Sequence, residues 1–315
     1  MSAGEPTGVK TAYHPEHLAD RAAMLAVRAM IALQPPADLG PAGRLAFDDL
    51  LARTPGAEGV TYQAAVVGGV SGWWCHPADV TAGSAILYFH GGAYVIGSAL
   101  AYRHFAGQIA VRAKAPVFVA EYGLAPERPF PAAVEDAEAA YRGLVTAGFG
   151  RIAIAGDSAG GGLALVTAAL MTQAARNGAT PAPATACVMS PWTDLTLSGD
   201  SIATRAKHDP VLTRDALDHA RQLYMGQASA SEPRASPLHS DLTGLPPILL
   251  HAGEDEILLD DARRYADLVA KSGSAAELHV WQGMVHVFPA NLALLQAARE
   301  ALDITGDFLR NHLGR

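Results

Sequence analysis

Two kinds of apolar spacing divide the chain. In the first fifty or so residues the apolar positions recur at helical intervals. Leu18, Met24, Leu25, Val27, Met30 and Ile31 fall in a run from His14 to Leu33 that Pro35-Pro36 ends, which predicts a core-facing helix over 14–33. Its methionines suit a core face or the lining of a pocket equally, because thioethers adapt to varied apolar surfaces. A second short helix is expected over 45–53. The runs 60–67 and 70–76 read as two strands joined by Gly68-Gly69, a hairpin. From Ala85 the pattern changes to short apolar runs alternating with longer Ala- and Leu-rich ones. Strands are expected at 85–89, 116–121, 151–155, 184–190, 246–252 and 277–281, with helices at 99–114, 132–147, 159–176, 260–272 and 291–312. Strands separated by helices of that length imply βαβ units and a mostly parallel sheet, with right-handed crossovers placing helices on both faces. The fold class is therefore α/β.

One segment breaks this alternation. More than fifty residues separate the strand ending at Ser190 from the one beginning near Pro246, far beyond an ordinary loop. The segment holds Asp209-Pro210-Val211-Leu212-Thr213, a helix-like run from Arg214 to Met225, and a Ser/Ala/Pro-rich stretch at 228–237. It reads as an insertion that joins the N-terminal helices in a lid over the sheet edge. The expected organisation is cap helices in 1–55, core in 56–190, a cap insertion in 191–240 and core again in 241–315.

Candidate chemistry sits where strand passes into helix. Arg151–Ala155 is a short apolar run, Gly156-Asp157-Ser158-Ala159-Gly160 follows it, and an Ala/Leu-rich helix follows that. Glycines two residues either side of Ser158 relieve the clashes of a sharp turn, which would lift the serine above the sheet in front of a helix N-terminus. This is a G-x-S-x-G nucleophile elbow in its strand–turn–helix setting. Acyl transfer also needs donors for the oxygen that becomes negative. His90-Gly91-Gly92-Ala93-Tyr94 ends the first parallel strand, and the backbone N–H groups of Gly91, Gly92 and Ala159 are the expected oxyanion donors, with His90 holding the loop. A base must follow in the order serine, acid, histidine. Of twelve histidines, His286 is the one placed on a short loop after the last strand, where such sheets present working side chains. The acid belongs to Gly253-Glu254-Asp255-Glu256-Ile257-Leu258-Leu259-Asp260-Asp261. Spacing leaves Asp255 and Glu256 both open, and assigns Asp260 and Asp261 to the N-terminus of the following helix. Tyr94 and Trp192 lie just past strand ends and are candidate walls of a substrate pocket.

Charge and cysteine usage narrow the partners. The net charge is −8, so no basic surface suggests nucleic acid or an anionic membrane. No apolar run is long enough to span a bilayer, and the first thirty residues lack a signal-peptide layout. Cys75 and Cys187 suggest buried thiols rather than a disulfide framework. A cytoplasmic protein is expected, with no metal and no cofactor, since no zinc or nucleotide signature occurs.

The loop 90–94, the elbow 156–160 and the segment Tyr122-Gly123-Leu124-Ala125-Pro126-Glu127-Arg128-Pro129-Phe130-Pro131 resemble the hormone-sensitive-lipase family of α/β-hydrolases, whose bacterial branch is called family IV esterases. The match runs from about residue 60 to the C-terminus. The resemblance implies an eight-stranded, mostly parallel sheet with its second strand antiparallel, a helical cap, and cofactor-free hydrolysis of short-to-medium acyl esters. It implies Ser158 as nucleophile and His286 as base. The family's acid is followed by Leu two positions on and a second acid four positions on, a register that Glu256, Leu258 and Asp260 fit and Asp255 does not. Glu256 is thus the expected acid. Gly123 stands where the family usually has Arg, and Arg128 where it often has His. A lactone hydrolase, an amidase or a deacetylase would use the same triad, and Asp209–Thr213 is similar to a stretch of bacterial ε-lactone hydrolases. Plant gibberellin receptors resemble the family without the catalytic histidine, which is present here. The expected partner is a small-molecule ester. Similar proteins also commonly form a homodimer through the last strand.

Overall fold

In the computed structural model residues 8–33 and 38–314 are described; Pro35-Pro36, the expected stop of the first helix, lies outside them. Eight strands fall where the apolar pattern puts them: β2 Val60–Val67, β3 Val70–Pro77, β4 Ser84–Phe89, β5 Val117–Ala120, β6 Arg151–Asp157, β7 Thr185–Met189, β8 Ile248–Gly253 and β9 Ala276–Trp281. The β2–β3 hairpin turns at Gly68 and Gly69, both at positive φ (60° and 84°), the conformation a two-residue hairpin loop demands. β3 is antiparallel to both β2 and β5, and the remaining core strands pair in parallel. Helices α3 (Ala99–Ala113) and α9 (Gln296–Leu313) cover one face of the sheet. Helices α4 (Ala132–Thr146), α5 (Ser158–Arg176) and α8 (Leu259–Lys271) cover the other. β4 alternates between these layers, Leu87 and Phe89 toward α4 and α5, Ile86 and Tyr88 toward α3. Burial on both faces is why its sequence is almost continuously apolar.

A ninth strand was not legible in the pattern. β1 (Lys10–His14) pairs in parallel with β9, so the sheet order is β1-β9-β8-β7-β6-β4-β5-β3-β2. Its sequence is polar because it is held by main-chain bonds and cross-strand pairs rather than by burial. Lys10 Nζ lies 2.9 Å from Glu277 Oε1. The His14 ring stacks on Trp281 with centroids 3.7 Å apart, and its Nε2 is 2.7 Å from His279 Nδ1. The last strand therefore has no free edge. A second copy pairing there would have to displace β1 or use β1's own outer edge.

The first helix, α1 (Leu18–Ala32), starts four residues later than the helical spacing implied and is not core-facing in the expected way. Met24 is buried, but Leu18, Leu25 and Met30 are 84%, 65% and 58% exposed. Polar anchors fix it instead. His17 Nε2 is 3.0 Å from Glu300 Oε2. The buried Asp20 carboxylate accepts from the Gln296 and Ala297 amides, 2.8 Å each. These are the first amides of α9, which has no cap of its own at Leu295, so Asp20 meets both unpaired donors and the positive end of the helix. Asp20→Ala is expected to lower stability by about 1–2 kcal/mol, read from the urea midpoint; an unchanged midpoint would show that α9 does not depend on this carboxylate.

In the insertion, α6 (Ser201–Thr204) is a single turn and α7 (Arg214–Met225) occupies the expected helical run. Thr213 caps α7 by accepting the Ala216 amide. A second short helix near the N-terminus, α2 (Arg44–Leu51), matches the 45–53 expectation. Among the described residues no helix is long and apolar enough to cross a membrane.

Candidate active site

β6 runs into α5 with no intervening loop, and Ser158 is the first helical residue, at φ 54°. A serine in the left-handed region is strained, and it stays there because its neighbours leave no alternative. A Cβ on Gly156 would strike the Gly160 carbonyl, and one on Gly160 would strike the carbonyls of Phe89 and His90. Only glycine at both places lets the turn pack against the end of β4.

His286 comes from the loop after β9. Its Nε2 lies 2.9 Å from Ser158 Oγ, and its Nδ1 lies 2.7 Å from Glu256 Oε2. A carboxylate only accepts, so Nδ1 carries the proton and Nε2 is the free acceptor facing the serine hydroxyl. Glu256 is fully buried, and its other oxygen accepts the Gly253 N–H at 2.9 Å. Burial alone pulls the His286 pKa down. The Glu256 hydrogen bond and the charges of Glu256, Asp209 and Asp157 outweigh it and hold the imidazole above its ordinary 6.5. The histidine loop is fixed by Ser190, whose hydroxyl accepts the Val287 N–H at 3.0 Å. Both residues sit at positive φ, 48° and 49°.

Asp255, the alternative acid, points away from the imidazole: its Oδ2 accepts from Arg28 Nη2 at 2.6 Å. Asp260 and Asp261 stand in the first turn of α8 but bond elsewhere. Asp260 accepts the Ser201 amide, and Asp261 accepts those of Thr193 and Asp194. They tether the insertion rather than cap their own helix.

The oxyanion loop departs from the expected donor set at one residue. Gly91 N–H donates to Asp157 Oδ1 at 3.1 Å, so this donor is already engaged within the fold. Asp157 also accepts from the Tyr88 and Tyr102 hydroxyls at 2.6 and 3.0 Å, and burial raises its pKa to about 6 against those hydrogen bonds. A Cβ on Gly91 would run into the Asp157 carboxylate, which explains the glycine there. Among the described residues no acceptor meets the N–H groups of Gly92 and Ala93, and their φ values of 120° and 54° mark a tightly turned loop. Ala159 N–H lies in the first turn of α5, where helix amides lack intrahelical partners. His90 holds the loop as its sequence position implied. Its Nδ1 donates to the Gly91 carbonyl at 2.7 Å, its ring stacks on Tyr122, and burial lowers its pKa to about 4. It is a neutral strut.

A strained serine, a hydrogen-bonded histidine and a buried carboxylate on one end of a parallel sheet agree with the comparisons with known proteins. A family model described as the alpha/beta hydrolase fold matches residues 86–290. The chain belongs to the α/β-hydrolases. An acetyl-hydrolase of Streptomyces hygroscopicus is 42% identical over 250 residues, covering 79% of this chain and 82% of that one. A carboxylesterase of Mycobacterium tuberculosis is 35% identical over 227 residues, covering 69% and 70%. A solved esterase of the bacterial hormone-sensitive lipase family superposes with a TM-score of 0.87 at 35% identity, covering 95% of this chain and 100% of that one. The protein is a hormone-sensitive-lipase-like hydrolase acting on carboxylic esters.

Around the hydrolase elbow, Tyr94 and Trp192 are almost wholly buried, at 1% and 0% exposure. Tyr94 stacks on Tyr224 of α7 with centroids 3.9 Å apart, joining the oxyanion loop to the insertion. Trp192 Nε1 donates to the Asp194 carbonyl at 3.1 Å. Both are packed within the hydrophobic core. The two departures of the 122–131 segment are one feature. Arg128 makes a forked pair with Asp136, at 2.6 and 3.0 Å, and the Gly123 amide donates to the same carboxylate at 2.8 Å. A side chain at 123 would meet the Arg128 guanidinium. Four residues of the hydrolase site had no role assigned from the sequence: Ala93, Ser190, Asp157 and Asp209. Asp157 lies within the elbow motif itself. Asp209 begins the conspicuous Asp-Pro stretch of the insertion, and its Oδ2 accepts the Ile257 amide at 2.9 Å, next to Glu256.

Proposed function

We propose that Ser158, His286 and Glu256 are the nucleophile, base and acid of a serine carboxylesterase that cleaves short-to-medium acyl esters through an acyl-enzyme. The observation that carries this is the unbroken row from Ser158 Oγ to His286 Nε2 (2.9 Å) and from His286 Nδ1 to Glu256 Oε2 (2.7 Å). His286 takes the serine proton as Oγ attacks the ester carbonyl, and the imidazolium so formed is held by Glu256. His286 then protonates the leaving alcohol, and water repeats the sequence on the acyl group. The developing oxyanion is met by the N–H groups of Gly92, Ala93 and Ala159. Each such donor lowers the barrier by about 3–4 kcal/mol. A short acyl group is supported by the acetyl-hydrolase relative. A cap is supported in part: Lys10–His14 belongs to the sheet as β1 rather than to a cap, while α1 and the 191–240 insertion reach the acid loop through the bonds of Arg28 and Asp209. A cytoplasmic setting is supported by the free, buried thiols of Cys75 and Cys187.

The sign of the pH dependence follows from the imidazole. The base works only when neutral, and its pKa is raised. Activity is therefore present above that pKa and is lost as pH falls through it. The acid limb of kcat/KM for p-nitrophenyl acetate is expected to have its midpoint above 6.5. A profile flat from about pH 5 to 8 would exclude His286 as the base.

A further inference from the structure

We propose that Arg28, on the N-terminal helix, is a positioning residue for the acid of the triad: it closes a ring of bonds that clamps Glu256 from both sides. The proposal rests on the triad reading given above. Glu256 sits between two residues that are each held from outside the acid loop. On one side the Asp255 carboxylate accepts from Arg28 Nη2 at 2.6 Å. On the other, the Ile257 amide donates to Asp209 Oδ2 at 2.9 Å. Arg28 also joins the two grips, because its Nη1 donates to the carbonyl of His208, the residue before Asp209. The path from Arg28 through His208, Asp209, Ile257 and Glu256 to Asp255 and back to Arg28 is therefore closed.

Asp209 is nine-tenths buried, and its second oxygen accepts the Val211 and Leu212 amides at 2.8 and 3.0 Å, so it is rigid within the insertion. Arg28 and Asp255 are only 27% and 21% exposed, and a planar fork can serve a carboxylate and a carbonyl at once. The helix carrying Arg28 is pinned to α9 at Asp20, about 12 Å away along its axis. It thus acts as a strut between the core and the acid loop. An isolated pair of this exposure would contribute little stability. Here its value lies in geometry, since small displacements of a triad member cost far more in rate than in folding.

The test measures kcat, KM, pH–rate profile and thermal midpoint for Arg28→Gln, Asp255→Asn, the double variant and Arg28→Lys, with p-nitrophenyl acetate and octanoate. Arg28→Gln is expected to lower kcat about tenfold on both esters with KM changed less than about twofold. The acid limb should move down, because a loosened Glu256 supports the imidazolium less well. Asp255→Asn should give the same loss, the double variant should be no worse than either single one, and lysine should recover part of the rate, keeping the charge but not the fork. A merely structural arginine would lower the thermal midpoint and leave kcat and the acid limb of the folded fraction unchanged, and that result overturns the proposal. So does a defect confined to KM for octanoate, which would place Arg28 in substrate admission. If Arg28→Gln does not fold, Asp255→Asn carries the same test with Arg28 in place. Ser158→Ala is the separate control: wild-type turnover by that variant would sink the triad reading itself, whatever Arg28 does.

Discussion

Replacing Ser158 with alanine is expected to lower kcat on p-nitrophenyl esters by on the order of 10⁶-fold, while the protein stays folded. The hydroxyl is the only group in the row that can form a bond to the acyl carbon, so no neighbour substitutes for it. His286 would remain in place through Glu256, 2.7 Å away, but would have no proton to remove. The residual rate, about 10³–10⁴ above that in water, would come from the oxyanion donors and substrate binding. Stability should change by no more than about 1 kcal/mol, the scale of one hydrogen bond. Wild-type-like hydrolysis by a folded Ser158→Ala protein would contradict the account.

The next largest effect is expected from Glu256→Gln, a loss of about 10³–10⁴ in kcat. The substitution keeps size and removes charge. A glutamine can present its amide to Nδ1, which turns that nitrogen into an acceptor and puts the proton on Nε2. The imidazole then faces Ser158 with a donor and cannot take its proton. Even with the correct tautomer, the imidazolium would lose the carboxylate that holds its pKa above 6.5 against burial. Asp255→Asn should fall short of this by two orders of magnitude or more, because Asp255 faces Arg28 rather than His286. Equal losses in the two variants would mean that the acid is misassigned.

Much of this molecule can be read from its apolar spacing, and the places where that reading stops have physical reasons. β4 to β9 are buried on both faces, so strand and helix differ in length and rhythm, and all six are where the pattern puts them. β1 is not visible because an edge strand needs only main-chain partners. Lys10 and His14 find their side-chain partners on β9, far away in sequence. The outward-facing Leu18 and Leu25 of α1 mislead for the converse reason. They have helical spacing, but the helix is fixed by His17, Asp20 and Arg28. Within the site, glycines and a serine at set spacings reveal the elbow, since backbone strain restricts which residues fit. Which carboxylate faces the imidazole is a matter of side-chain direction, on which adjacent residues such as Asp255 and Glu256 differ; spacing from the serine and histidine leaves both open, and only the family register picks out Glu256. The same holds for Gly91, whose N–H turns toward Asp157; one residue of register in the loop decides which amides stay free.

The most direct test of the central claim uses an alkylphosphonate p-nitrophenyl ester, which halts at a tetrahedral adduct on the nucleophile. Release of one equivalent of p-nitrophenol per chain, complete loss of esterase activity, and a single phosphonyl group on the peptide containing Ser158 are expected. The Ser158→Ala protein should remain unlabelled. Activity surviving full exposure to the reagent, or a label on any other residue, would contradict that claim.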